Sequence, residues 1–173
     1  MQQKIFNYIF TTCFGESAVF FHEKPFLIQR VLLPCSSKMD MSEFVKEKGF
    51  DKTIPNKKAI IVSKVISAYF EKKQMPIFWP PWQWMDMGGL TNLQKSVLGA
   101  TANIPYAELR SYKQIAADIG SPLAWRFVGS TLACNPFPIL IPCHRVIRSN
   151  FTYGKYAGGS DLKKKLIELE ADH

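Results

Sequence analysis

The sequence predicts a two-domain protein mixing helix and strand: an α/β unit over residues 1–85, a mostly helical unit over residues 86–173, and an α+β chain taken together. Three observations carry this. β-type runs crowd the first 33 residues, a proline- and tryptophan-rich stretch interrupts the chain at residues 75–84, and helix start and stop signals follow one another closely after residue 90.

In the first unit the runs at residues 5–11, 18–21 and 26–33 are rich in Ile, Phe, Val and Thr, which suit a half-buried pleated surface. A helix is expected over residues 59–70, with Ile61, Val65, Ile66, Ala68, Tyr69 and Phe70 close to a 3.6-residue period. No chemistry is visible in this half. The stretch Met75-Pro76-Ile77-Phe78-Trp79-Pro80-Pro81-Trp82-Gln83-Trp84 holds too much proline to continue a helix and too much tryptophan for a free linker. It is expected to pack as it passes from one unit to the next.

In the second unit Thr91 with Gln94 forms a capping box, opening a helix with Leu93, Val97 and Leu98 inward that fades by Asn103-Ile104-Pro105. Ser111 with Gln114 forms another, and Gly120 should stop the short helix that follows. Ser121 then reads as an N-cap with Pro122 in the first turn of a helix running to about Ala133, which Asn135-Pro136 ends. Two short helices about a Gly-Ser-Pro corner make a helix-turn-helix pattern. Last, Ser160 reads as the cap of a terminal helix with Leu162, Leu166 and Leu169 inward and Lys163, Lys164 and Lys165 on its polar side.

Composition limits the classes available. Hydrophobic residues make up 47% of the 173 and aromatics 13%, enough for a folded core. Lysine and arginine number 22 against 14 acidic residues, a formal charge of +8, which suits a polyanionic partner without proving one. The four cysteines, at positions 13, 35, 134 and 143, show no Cys-x-x-Cys pair and no regular framework, so reduced thiols and a cytoplasmic address are expected. No charged leader precedes an apolar cleavable segment and no window is long enough to span a bilayer, so no membrane partner is expected. Cys13, His22 and Cys35 could be considered for zinc, but their spacing is irregular and a fourth ligand is lacking, so no metal is expected.

The run Asn135-Pro136-Phe137-Pro138-Ile139-Leu140-Ile141-Pro142-Cys143-His144-Arg145-Val146-Ile147 is the most informative stretch. A lone intracellular cysteine is ordinarily one more small buried hydrophobe. Here three prolines stiffen the approach to Cys143 and an apolar run anchors it, so the thiol should be aimed from the lip of a core. The run, with central Pro-Cys-His-Arg, resembles the active-site signature of the O6-alkylguanine-DNA alkyltransferases, the methylated-DNA–protein-cysteine methyltransferases. The resemblance covers residues 87–170 in several spaced elements.

That resemblance implies a fold, an activity and a set of roles. The first half would be a ribonuclease-H-like domain, and the second would carry the helix-turn-helix and a short active-site strand. Cys143 would irreversibly accept an alkyl group from O6-alkylguanine, or from O4-alkylthymine, in double-stranded DNA, with the protein acting once, as a monomer and without a cofactor. Glu170 would orient His144, which would draw the thiol proton through a bridging water. Tyr112 would serve the guanine ring nitrogen, the carbonyls of Cys143 and Val146 its exocyclic amine, and the amide of Ala157 its oxygen, within a pocket loop that includes Tyr156 and Gly158. Asn135 would tie the helix-turn-helix to the active-site strand. Arg126 would enter the base stack from the minor groove as the nucleotide flips out, with Ser111, Tyr112, Trp125, Phe127 and Gly129 around it on the DNA face.

Two departures stand out. Trp125 and Phe127 flank Arg126 where the family often has small residues, and the loop at residues 149–157 is bulkier than the family's. They keep open a non-catalytic, alkyltransferase-like lesion-binding protein as the alternative. A turnover thiol hydrolase is a third reading, disfavoured because adjacent residues of an extended segment point to opposite sides.

Overall fold

The computed structural model describes residues 4–34, 41–47, 53–71, 82–154, 156 and 158–171. The chain divides into two compact units, Met1–Asp86 and Met87–His173. No described helix is long and apolar enough to cross a membrane.

The first unit is built on a three-stranded antiparallel sheet in the order β1 (Phe6–Thr12), β2 (Gly15–His22), β3 (Leu27–Leu32). Gly15 makes the tight β1–β2 turn possible because its φ of +123° lies where a side chain is disfavoured. Thr12 closes that turn by donating from Oγ1 to the Gly15 carbonyl at 2.8 Å. The central strand β2 is buried over its last six residues, since both faces of the sheet are covered. Ala18 and Phe20 pack with Met41 and Val45 of helix α1 (Met41–Glu47), while α2 (Lys57–Phe70) lies against β1 and β2. Asn56 caps α2, accepting from the Lys58 and Ala59 amides at 2.9 and 3.3 Å.

Three expectations for this unit need correction or restriction. The short α1 was not foreseen, because seven residues carry too little periodicity to announce a helix. In α2 the inward stripe comprises Ala59, Val62, Ser63, Val65, Ile66, Tyr69 and Phe70, and Ile61 is exposed, so the stripe is rotated from the one expected. Of the connector, only Trp82 onward lies within the described residues, as a 3₁₀ turn at Trp82–Trp84.

Among the described residues the second unit gathers four helices around a two-stranded parallel ladder. Helix α3 (Asn92–Ala102) opens on the Thr91–Gln94 capping box and α4 (Tyr112–Asp118) on the Ser111–Gln114 box, with both reciprocal bonds formed in each. Val97 and Leu98 of α3 are buried; Leu93 is exposed, contrary to expectation. Gly120, at φ +71°, ends α4. The next helix, α5 (Trp125–Ala133), begins later than the Ser-Pro signal suggested, because Ser121 spends its carbonyl on a turn to the Ala124 amide at 2.8 Å. Ala124 is then the N-cap and no side chain caps α5. Strands β4 (Arg110–Ser111) and β5 (Val146–Ile147) pair in parallel, bringing the Cys143 segment beside the start of α4. Helix α6 (Gly159–Ala171) starts at Gly159, so Ser160 lies inside its first turn rather than capping it. Leu162 and Leu166 point inward as expected and Leu169 is half-buried.

Candidate active site

Cys143 does not sit on an extended strand. Residues 135–142 form a hook, closed by the Ile141 amide on the Phe137 carbonyl at 2.8 Å, with Ile139 forced to a left-handed φ of +69°. A β-branched residue adopts that φ only where packing holds it. Phe137, Ile139, Leu140 and Ile141 are all buried here. The chain then enters a 3₁₀ turn at Cys143–Arg145, so Cys143 and His144 are adjacent on a turn and the opposite-sides argument does not apply.

Asn135 holds the hook to the end of α5. Its Oδ1 accepts from the Phe137 amide at 3.0 Å, and its Nδ2 donates to the Ile141 carbonyl at 3.0 Å and to the Cys143 sulfur at 3.1 Å. One amide thus fixes both the backbone path and the sulfur. Cys143 is 3% exposed, and burial pushes its thiol up, opposed by the Asn135 hydrogen bond and by the positive charge of Lys163. The Tyr156 hydroxyl lies beside the same sulfur without forming a well-aligned hydrogen bond, and burial holds that phenol well above its ordinary value.

Behind the cysteine stands a buried ionic cluster. His144 Nε2 lies 2.8 Å from Glu170 Oε1. Arg145 grips the same carboxylate with Nε at 2.9 Å from Oε2 and Nη2 at 2.9 Å from Oε1, and gives Nη1 to the Ile104 carbonyl at 2.7 Å. The Ala107 amide donates to Glu170 Oε2 at 3.0 Å. A carboxylate so surrounded by donors can only accept, so Nε2 of His144 carries the hydrogen and Nδ1 is the basic nitrogen. Burial lowers the His144 pKa despite Glu170, keeping the ring neutral at pH 7.

The residue that sequence reasoning misplaced is Lys163. Expected on the polar face of α6, it is 1% exposed, donating from Nζ to the Val146 carbonyl at 2.6 Å and to the Tyr112 hydroxyl oxygen at 3.4 Å. Burial lowers its pKa to about 8, against the pull of Cys143. Arg145 was likewise not singled out, though it stands inside the recognised tetrapeptide. The Val146 carbonyl already accepts from Lys163, and the Cys143 carbonyl from the Val146 amide, so each has one lone pair left for a ligand.

Tyr112 links this centre to the surface. Burial, with Cys143 nearby, raises its pKa, and its ring lines a cavity of about 560 Å³ shared with Lys113, Trp125, Arg126, Gly129 and Arg148. Cys143 is not among the described residues that line that cavity. Gly154, at φ +65°, closes over the phenol so tightly that a Cβ would stand 2.7 Å from the hydroxyl oxygen. At Gly129 a Cβ would make only ordinary contact with the Tyr112 ring.

Other expected residues fall as follows. Ser111 spends its hydroxyl capping α4. Trp125 and Arg126 are exposed, with the guanidinium 4.7 Å from the indole centroid, and Phe127 is half-buried. Gly158 lies against Leu162. Cys134 is exposed, and Ala157 and Cys35 lie outside the described residues. Of the residues considered for zinc, His22 is engaged by the Lys4 carbonyl and Asp86, and Cys13 is exposed.

Residues 92–172 match the family described as 6-O-methylguanine DNA methyltransferase, DNA binding domain. A methylated-DNA–protein-cysteine methyltransferase of Methanosarcina barkeri is 49% identical over 83 residues, 48% of this chain and 52% of that protein. The chain therefore spans about half the length of the curated relatives it matches. Among solved structures, the O6-methylguanine methyltransferase of Mycobacterium tuberculosis superposes with a TM-score of 0.70 at 26% identity, over 96% of this chain and 93% of that one. OGT of the same organism, in complex with DNA, gives 0.74 at 29% identity, over 96% and 92%. The family resemblance read from the C-terminal half of the sequence holds.

Proposed function

We propose that this chain, similar to the methylated-DNA–protein-cysteine methyltransferases, repairs DNA by moving an alkyl group from the O6 of guanine, or the O4 of thymine, to its own Cys143. The observation that carries the reading is the convergence on one sulfur of an orienting amide and a buried ammonium, with a histidine backed by a buried carboxylate next to it in the chain. A buried thiol is poorly nucleophilic until its proton leaves. His144 Nδ1 takes that proton through a bridging water, and Glu170 and the Arg145 fork hold the ring in the tautomer that allows it. Lys163 favours the resulting thiolate.

The thiolate attacks the alkyl carbon, a C–S bond forms as the C–O bond breaks, and the electron pair goes to the guanine. Tyr112 accepts from Lys163, so its own hydrogen is free to meet the ring nitrogen that gains charge. A thioether offers no easy leaving route, so the protein acts once. The base must leave the duplex to reach a sulfur this enclosed. α4 and α5 form the helix-turn-helix that docks in the minor groove, where readout is degenerate and a repair protein need not read sequence. Lys113 and Arg148 meet the phosphates, aided by the uncapped N-terminus of α5, and among the described residues no acidic side chain lines the groove. Arg126 occupies the space the flipped base leaves. The first unit takes the ribonuclease-H-like arrangement of the family, the chain acts as a monomer in the cytoplasm, and the catalytic roles fall to Cys143, His144, Glu170, Tyr112 and Asn135.

The deciding experiment is mass spectrometry of the protein after incubation with a duplex holding one O6-methylguanine. One added methyl on the Cys143 peptide, stoichiometric and without turnover, is expected. Tight lesion binding with no mass change would replace this reading with a non-catalytic sensor.

A further inference from the structure

Trp125 is an unusual residue to leave on a surface. It occupies the first position of α5, 38% exposed, and the guanidinium of Arg126 lies 4.7 Å from its ring centroid. It stands at the edge of the buried side of α5, one to two turns ahead of Val128 and Leu132, yet more than a third of it remains open to solvent. A guanidinium and an indole are therefore in cation–π contact in the lining of a cavity of about 560 Å³ whose charged residues among those described, Lys113, Arg126 and Arg148, are all cationic. Just ahead of the helix, Leu123 is 91% exposed and extends the apolar edge. Apolar, aromatic and cationic groups together, with no anion among them, match a nucleic acid whose bases are locally unstacked; an acidic protein surface would not call for the flat stack.

We propose that Trp125 is a second stacking group of the DNA contact, so that Arg126 and Trp125 act as a pair: the guanidinium fills the vacated space and the indole lies against the base pair beside it. This rests on the DNA-repair reading above. A lone arginine must freeze a long, freely rotating side chain to enter a stack, whereas one already laid on an indole is partly ordered beforehand. The indole turns on only two torsions, and it stacks on any base because every base has a π face. The bulk beside the finger is thus a working part of the interface. Trp125 positions Arg126 and the duplex and does not touch the reacting atoms.

The test compares full-length wild type with Trp125→Phe, Trp125→Leu and Trp125→Ala on a duplex holding O6-methylguanine beside a 2-aminopurine that reports unstacking. Duplex affinity, 2-aminopurine emission, and the ratio of the Cys143 alkylation rate on duplex to that on free O6-benzylguanine are measured, with urea midpoints as the check of folding. Phe should retain most of the wild-type values. Leu and Ala should lose about tenfold in affinity and in the rate ratio, with reduced emission. Arg126→Ala added to Trp125→Ala should cost less than the two single losses multiplied, since the pair acts as a unit. Leu performing as well as Phe, or all three variants binding within twofold of wild type, would overturn the proposal. Should wild type alkylate Cys143 from neither substrate, the transfer reading falls, while affinity and emission still decide the role of Trp125.

Discussion

Replacing Lys163 with methionine should make the protein more stable and worse at its chemistry, two effects that a merely structural lysine would not join. The fall of this lysine from 10.5 to about 8 corresponds to about 3 kcal/mol against the charged form. Methionine keeps an unbranched chain, one atom shorter, and removes that cost. It also leaves the Val146 carbonyl without its 2.6 Å donor, a loss of about 1–2 kcal/mol. The net gain at pH 7 is then about 1–2 kcal/mol, read by urea unfolding. The pH dependence identifies its source. Between about 8, where the folded lysine loses its proton, and about 10.4, where the unfolded one does, the unfolded state binds more protons, so this group makes stability rise with pH. Cys143 acts in the opposite sense. Burial raises its folded pKa, so the stability it contributes is present at low pH and lost as pH rises through that value. Lys163→Met retains only the second trend, so its advantage should shrink steadily above about pH 8 and vanish near pH 10. Alkyl transfer, followed by the mass of the Cys143 peptide, should slow about ten- to a hundredfold, because the thiolate loses its favouring cation. A constant stability gap from pH 7 to 10, or transfer at the wild-type rate, would refute the reasoning.

Asn135→Ala removes all three hydrogen bonds that pin the hook and the sulfur; a loss of about 2–3 kcal/mol in urea unfolding is expected, with slower transfer even where the variant is fully folded. Gly154→Ala places a methyl 2.7 Å from the Tyr112 hydroxyl at a left-handed φ, so it should cost at least about 1–2 kcal/mol and lower transfer by displacing the phenol, which the single-turnover rate checks. Because burial lowers His144 and keeps it neutral, the transfer rate should stay flat as pH falls through about 6.5 and drop only below it. Over the same range stability should decline, since the unfolded histidine takes its proton first; a rate falling with an ordinary histidine midpoint would show that burial does not hold the His144 ring neutral.

How much of this was legible in the sequence depended on whether a feature was local. Both capping boxes appear where Thr91, Gln94, Ser111 and Gln114 announced them, because the reciprocal bonds span only three residues. Ser121 and Ser160 carried the same kind of signal and failed, each for a backbone reason: a competing turn at Ser121 and a positive φ at Gly159. The stripe of α2 was found in kind and misplaced in angle, because β2 and β1 decide which side of that helix is covered, and periodicity alone does not fix which of two adjacent apolar residues wins.

The site divides along the same line. Cys143 and its immediate neighbours were legible because three prolines and a tetrapeptide mark them within a dozen residues. That Cys143 lies on a turn was not, since it follows from Asn135 reaching across eight positions and from a left-handed Ile139 held by burial. Lys163 was the hardest to place. In a run of three lysines on an amphipathic helix, solvent is the default for each, and only the turn leading to Val146, packed on α6, supplies the carbonyl that draws one of them inward. The sign of that error is informative. A lysine held inside at the cost of stability, beside a thiol that is itself disfavoured as an anion, makes stabilising sense for neither group alone. The two are mutually supporting only when the thiol ionises, which is the moment a nucleophile is needed.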